Sequence, residues 1–152
     1  SYLSVADADA YHSAHLDPSA WSAASTEEKE KALRLGTQWL DLRFSWLGSR
    51  ANSGQALAWP RSGIVDEDGY SVDSDAVPQA VQDACAEAAV RSLSGELMED
   101  ETDPAIKRES NKVGPITETI EYMGGKAPYP NYRRIKAMLR GLTMSAGTIR
   151  RG

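Results

Sequence analysis

Four segments of the chain repeat apolar residues at helical spacing, and most of the glycine and proline lies between them. The clearest follows Thr26, where Leu33, Gly36, Thr37, Leu40, Phe44 and Leu47 recur at i, i+3, i+4 and i+7, the pattern of one buried helix face. Thr26 is the expected N-cap, Glu27 and Glu28 occupy the first turn, and Glu27/Lys31 and Glu30/Arg34 are helix-spaced ion pairs. Trp39 and Trp46 lie beside this stripe. Upstream, Ser4 caps an Ala-rich helix expected over about 5–15, with a weak stripe of Leu3, Ala6, Ala10 and Ala14. Asp17-Pro18 ends it, because a residue before proline avoids the helical region. Trp21 is then placed to dock over the start of the long helix.

A third helix is expected from Pro78 to Ser94, with Val81, Ala84, Cys85, Ala88, Ala89 and Leu93 on one face and Gly95 as the stop. The last, about Tyr132 to Leu142, sets Ile135, Met138, Leu139 and Leu142 against Arg133, Arg134, Lys136 and Arg140. Periodicity disappears from Gly48 to Ala76, and a loop this long in a small domain usually carries function. Within it, Gly63 to Val72 reads as a hairpin turning at Asp68-Gly69, with Ile64/Val65 and Tyr70/Val72 on its arms. A second, larger hairpin is expected over about 106–112 and 116–122, around Gly114-Pro115. The predicted fold is mainly α: a small bundle of about four helices with one or two β-hairpins and a flexible C-terminal arm. Residues 1–142 make one domain and 143–152 an extended tail; no internal repeat is present.

Composition narrows the function classes. At 152 residues the chain suits one domain able to bury about 70% of its unfolded surface, so no disulfide or metal is required. Seventeen Lys and Arg against 22 Asp and Glu give a net charge of -5, which argues against a dedicated nucleic-acid binder. One cysteine excludes an internal disulfide framework. No apolar run approaches the ~18 residues of a membrane span, and no charged-then-apolar signal segment leads the chain.

Candidate chemistry is sparse. His12 and His15, one turn apart with Asp9 nearby, supply two possible metal ligands, but no third is placed, and two exposed helical histidines are the simpler reading. Asp66, Asp68, Gly69 and Asp75 fit part of a calcium loop. Its first position is Ile64 instead of a carboxylate, and the hairpin turn explains Asp68-Gly69 without an ion. Cys85 reads as a buried, inert thiol. Neither a nucleophile elbow nor a phosphate-cradling glycine loop is present, so no enzyme and no cofactor is expected. Trp39, Arg43, Phe44, Trp46, Arg50, Trp59 and Arg61 interleave aromatic and basic residues, as a single-strand stacking platform would. Against that, Trp39 and Phe44 suit a core, and Trp46 and Trp59 suit anchors for the long loop, and the chain's acidity favours this second reading.

The opening Ser1-Tyr2-Leu3-Ser4-Val5-Ala6-Asp7-Ala8-Asp9-Ala10-Tyr11-His12, Trp21, the run Ala32 to Asp41, and Gln55 to Gly63 with Ala58-Trp59-Pro60-Arg61 carry a resemblance. So do Asp68-Gly69-Tyr70, Val77-Pro78-Gln79-Ala80-Val81, Lys107-Arg108-Glu109 and Lys112-Val113-Gly114-Pro115. In this order they resemble tailed-bacteriophage head–tail connector adaptors (head-completion proteins), often labelled DnaT-like single-stranded DNA-binding proteins. The resemblance covers the chain to about Leu142. It implies a helical virion protein of the neck, assembled in the host bacterial cytoplasm. Its partners would be the portal, a stopper or tail-terminator protein, and its own copies in a dodecameric ring. Duplex DNA would pass through the lumen without sequence-specific binding, and no membrane is involved. On this basis Thr143, Ile149, Arg150 and Arg151 are expected to bind the portal. Trp59, Pro60, Arg61 and Tyr70 would meet the neighbouring subunit, and the hairpin with Lys107, Arg108, Lys112 and Glu118 would face the lumen or the next ring. The alternative from another class is a single-stranded DNA-binding accessory protein of replication.

Overall fold

Two helices that pack almost backbone to backbone organise the molecule. The computed structural model describes residues 1–95 and 132–144. The described elements are α1 (Val5–Ala14), α2 (Ser19–Ser22), α3 (Thr26–Arg43), β1 (Ser49–Arg50), β2 (Arg61–Ser62), α4 (Gln79–Ser92) and α5 (Arg133–Met138). The α3–α4 contact is the largest in the fold, and α4 also meets α1 and α5. Small residues permit the approach: Ala84, Cys85, Ala88 and Ala89 are fully buried on α4. A Cβ added at Gly36 of α3 would lie 3.1 Å from both the Ala89 nitrogen and the Cys85 carbonyl oxygen. The fold is mainly α with a small antiparallel β element, in agreement with the expectation from periodicity.

Helix ends follow local chemistry with one correction. Ser4 caps α1, its hydroxyl accepting from the Asp7 N–H at 3.1 Å. The cap of α3 is Ser25, one residue before the expected Thr26: its hydroxyl accepts from the Glu28 N–H while the Glu28 carboxylate accepts from the Ser25 N–H. Ser25 wins because only it has a glutamate three residues on, in register to close this reciprocal capping box. The Glu27–Lys31 pair forms, at 3.7 Å between exposed partners.

The expected stripe on α1 is also corrected. Ala6, Ala10 and Ala14 face solvent, and the buried residues are Ala8 and His12. Alanine offers too little apolar surface to fix the helix rotation, and larger groups decide it. The His12 Nε2–H donates to the Ala86 carbonyl oxygen (3.1 Å), and the ring packs on Trp21 at 4.8 Å. The Trp21 indole N–H donates to Asp9 (2.8 Å), and Lys29 of α3 pairs with the same carboxylate while lying over the Trp21 ring. Trp21 thus docks over the start of α3, as its position suggested.

The 48–76 segment is tied down at several points. β1 and β2 pair antiparallel, Ser49 with Ser62 and Arg50 with Arg61, inside the segment whose pattern predicts a loop. The 63–72 hairpin forms as an isolated bridge between Val65 and Ser71. Its turn is held by Asp66, whose carboxylate accepts from the Asp68 and Tyr70 N–H groups. Ile64 is buried while Val65 and Tyr70 project into solvent. The expected second hairpin over 106–122 lies outside the described residues.

Candidate functional site

The aromatic and basic residues of the chain fall into two places in the structure. The interleaved aromatics are interior: Trp39, Trp46 and Trp59 are 3%, 8% and 2% exposed. Trp59 meets the Trp46 ring edge-on at 5.4 Å, and Trp39 meets Phe44 likewise at 5.7 Å. Arg61 lies at the root of the long loop, its guanidinium donating to the carbonyl oxygens of Leu47 (2.7 Å), Gly48 (2.9 Å) and Ala58 (3.1 Å). These indoles therefore form no stacking platform. Of the residues expected to meet a neighbouring subunit, Trp59 is buried in its own chain and Arg61 is partly buried and bonded within it. Pro60 is half-buried beside them, its carbonyl oxygen accepting from the Ala51 N–H and the Gln55 amide. Tyr70, 72% exposed, is the member of that set that faces solvent.

The basic face of the last helix has a different fate. Ile135, Leu139 and Leu142 turn inward, which leaves Arg133, Lys136 and Arg140 at i, i+3 and i+7 on the outside. Opposite them stands the C-terminal end of α3, with Arg43 and Phe44. Together they line a groove of about 690 Å³ whose wall also includes Ala137, Thr143 and Met144. Among the described residues no Asp or Glu lines it. Glu67 of the hairpin meets Arg140 at 3.2 Å with both side chains largely exposed. Such a pair is weak in water and leaves the remaining Arg140 donors for another acceptor. Arg43 lies over the half-buried Phe44 ring, 5.3 Å from its centre.

A buried carboxylate ties α4 to α1 and α5. Glu87 of α4 is 5% exposed. It accepts from the Tyr11 hydroxyl (2.6 Å) and from Arg91 (2.6 Å), and meets Arg134 of α5 at 3.4 Å. Burial would raise its pKa, but the hydrogen bonds from Arg91 and Tyr11 and the charges of Arg91 and Arg134 outweigh it, so Glu87 sits below the ordinary carboxylate range. Burial, then the Glu87 contact, push the Tyr11 phenol up. Arg91 also stacks over Tyr132, just before α5.

The remaining candidates separate. His12 is buried and His15 is exposed and stacked on Tyr11, so the two do not converge, and the picture of two exposed histidines is corrected for His12. Burial lowers the His12 pKa. Among the described residues no three His, Cys, Asp or Glu side chains gather as a metal site. Cys85 is buried, and burial raises its thiol pKa. Among the described residues no helix is long and apolar enough to cross a membrane.

The chain's end also departs from expectation. Thr143, assigned to the arm, pairs with Trp46 in an antiparallel bridge. The Leu47 N–H donates to the Leu142 carbonyl and the Met144 N–H to the Ser45 carbonyl, both at 2.9 Å. Ile149, Arg150, Arg151, Lys107, Arg108, Lys112 and Glu118 lie outside the described residues.

Sequence reading missed the groove because its cations come from two distant segments. In the sequence Arg43 stands among the tryptophans and the α5 cations stand only as the face opposite Ile135, Met138, Leu139 and Leu142, while the negative total charge argues against nucleic acid. Total charge is a poor guide at this range, since charges beyond a Debye length, about 8 Å at physiological ionic strength, are largely screened. No curated protein and no solved structure matches the chain. A family model does, from residue 1 to residue 152, and its description concerns the polymer whose charge the groove complements: the chain belongs to the family described as "Putative DnaT-like ssDNA binding protein".

Proposed function

We propose that this chain is a non-catalytic protein that binds single-stranded DNA through its phosphates at the groove between the end of α3 and α5. The observation that carries the reading is the convergence of Arg43, Arg133, Lys136 and Arg140, with no carboxylate among the described lining residues, on one groove of a chain with net charge -5. Family membership points the same way. Arginine suits this task because its planar fork matches two phosphate oxygens at once. The burial of Trp39, Trp46 and Trp59 means that phosphate contact, not a tryptophan platform, supplies most of the affinity. If four cations each neutralise one phosphate, log K falls with log salt at a slope of about -2.8 for a single strand, or about 50-fold between 50 and 200 mM. Anisotropy of a labelled oligonucleotide titrated at these two concentrations tests the reading. Binding with that dependence supports it, and absence of binding at the lower salt refutes it.

A second reading is favoured by the way the chain leaves the core. The Leu47 N–H bond to the Leu142 carbonyl and the Met144 N–H bond to the Ser45 carbonyl fix residues 142–144 beside the groove. An anchored arm carrying Ile149, Arg150 and Arg151 suits a subunit that clasps a portal, with the exposed Tyr70 hairpin toward a neighbour, in a non-enzymatic head–tail adaptor ring of a virion. Motifs such as Ala58-Trp59-Pro60-Arg61 support this reading too. Its test is the protein content of purified particles: presence at the neck, with loss of portal recruitment on deleting 145–152, supports the adaptor, and absence from particles refutes it.

A further inference from the structure

The groove is lined by apolar as well as cationic side chains, and a phosphate-only site needs no apolar lining. Phe44 is half-buried in the wall, with Ala137 and the 42%-exposed Met144 nearby. Its volume of about 690 Å³ lies within the ~300–1,000 Å³ usual for sites that take a small organic molecule. Phe44 is backed by Trp39 edge-on at 5.7 Å and by Trp46 at 6.2 Å, so its ring is held from behind by buried aromatics. Over that ring lies Arg43, 5.3 Å from its centre.

We propose that Phe44 is a base-stacking surface: one unpaired base of a single strand displaces Arg43 from the Phe44 ring, and Arg43 turns to a flanking phosphate. The exchange is favourable. An exposed cation over an aromatic ring is worth roughly a 2- to 5-fold preference, whereas a base stacked on an aromatic side chain is worth roughly 5- to 150-fold. Arg43 loses little, because the phosphate replaces the ring as its partner. Arg133, Lys136 and Arg140 face the strand's backbone across the groove. A base inside a duplex cannot stack on the Phe44 ring without unpairing, so the site discriminates strandedness without reading sequence. This inference rests on the proposed binding of single strands.

The test compares a mixed-sequence strand of about 12 nucleotides, within the usual 4–16 nucleotides of a single-strand site, with an abasic strand of equal length and with the duplex. The intact chain should prefer the base-bearing strand over the abasic one by roughly 5-fold or more. Phe44→Leu should abolish that preference with the salt slope unchanged, and Phe44→Tyr, which keeps a ring and guards against misfolding, should retain it. Equal binding of base-bearing and abasic strands overturns the stacking role but leaves backbone binding standing. Tighter binding of the duplex overturns the stacking role as well. Binding of none of the three overturns both.

Discussion

Replacing Glu87 by glutamine isolates the charge that joins α4 to α1 and α5. The amide keeps the volume of the carboxylate, so the change is electrostatic. Glu87 accepts from Tyr11 and Arg91, both at 2.6 Å, while the 3.4 Å contact to the half-exposed Arg134 contributes little. A hydrogen bond involving a charged group is worth about 1.5–3 kcal/mol against about 1 for a neutral one. Two such bonds reduced to neutral strength therefore cost roughly 1–4 kcal/mol in Glu87→Gln at pH 7. At roughly 4 °C per kcal/mol for a domain of this size, the midpoint should fall by about 4–16 °C. Tryptophan fluorescence during thermal unfolding reads it, since Trp21, Trp39, Trp46 and Trp59 are all buried. The sign with pH follows from the depressed pKa of folded Glu87. Its contribution is present in full above its unfolded pKa, about 4.5, and is lost as pH falls through the lower folded value. The gap between the two proteins should thus be largest near neutrality and close in acid, where the native residue is itself protonated. A gap that is constant from pH 7 into acid would refute the assignment of a charged, hydrogen-bonded Glu87.

Two other substitutions probe the packing. Gly36→Ala gains about 1 kcal/mol of helix propensity, but its Cβ meets two backbone atoms of α4 at 3.1 Å. Overpacking of about 1–3 kcal/mol should prevail, so urea unfolding should show a net loss, and a more stable variant would contradict the close approach of α3 and α4. Arg61→Ala leaves three loop carbonyls without their donor and should cost roughly 2–3 kcal/mol. Arg61→Lys should not restore it, because an ammonium lacks the fork that spans the three acceptors. Full rescue by lysine would show that charge alone matters there.

Much of this fold is legible in the chain because helix periodicity reports burial directly. The α3 stripe of Leu33, Gly36, Thr37 and Leu40 and the α4 stripe of Val81, Ala84, Cys85, Ala88 and Ala89 are buried as spaced. On α1, periodicity misleads, because alanines give no strong moment and Trp21, Asp9 and Lys29 set the rotation instead. His12 is illegible for a related reason: a polar residue in a weak stripe reads as exposed until its carbonyl partner on α4 is known. Trp59 and Arg61 stand together in a glycine-rich loop and look available. Their partners, Trp46 and the Leu47, Gly48 and Ala58 carbonyls, are contacts that only tertiary structure supplies. The groove has the same character. Each half is plain in the sequence as a basic helix face and an Arg-Phe pair, and only the packing of α5 beside the end of α3 makes them one surface.

The central claim is that DNA is held by the cations of this groove and not by the chain's other basic residues. Salt slopes for a labelled single strand, measured on the unaltered chain, on Arg133→Gln with Lys136→Gln, and on Lys31→Gln with Arg34→Gln from the exposed side of α3, test it most directly. The account predicts a slope of about -2.8 that falls to about -1.4 in the groove variant and is unchanged in the control. An unchanged slope in the groove variant, or an equal reduction in both, would contradict it.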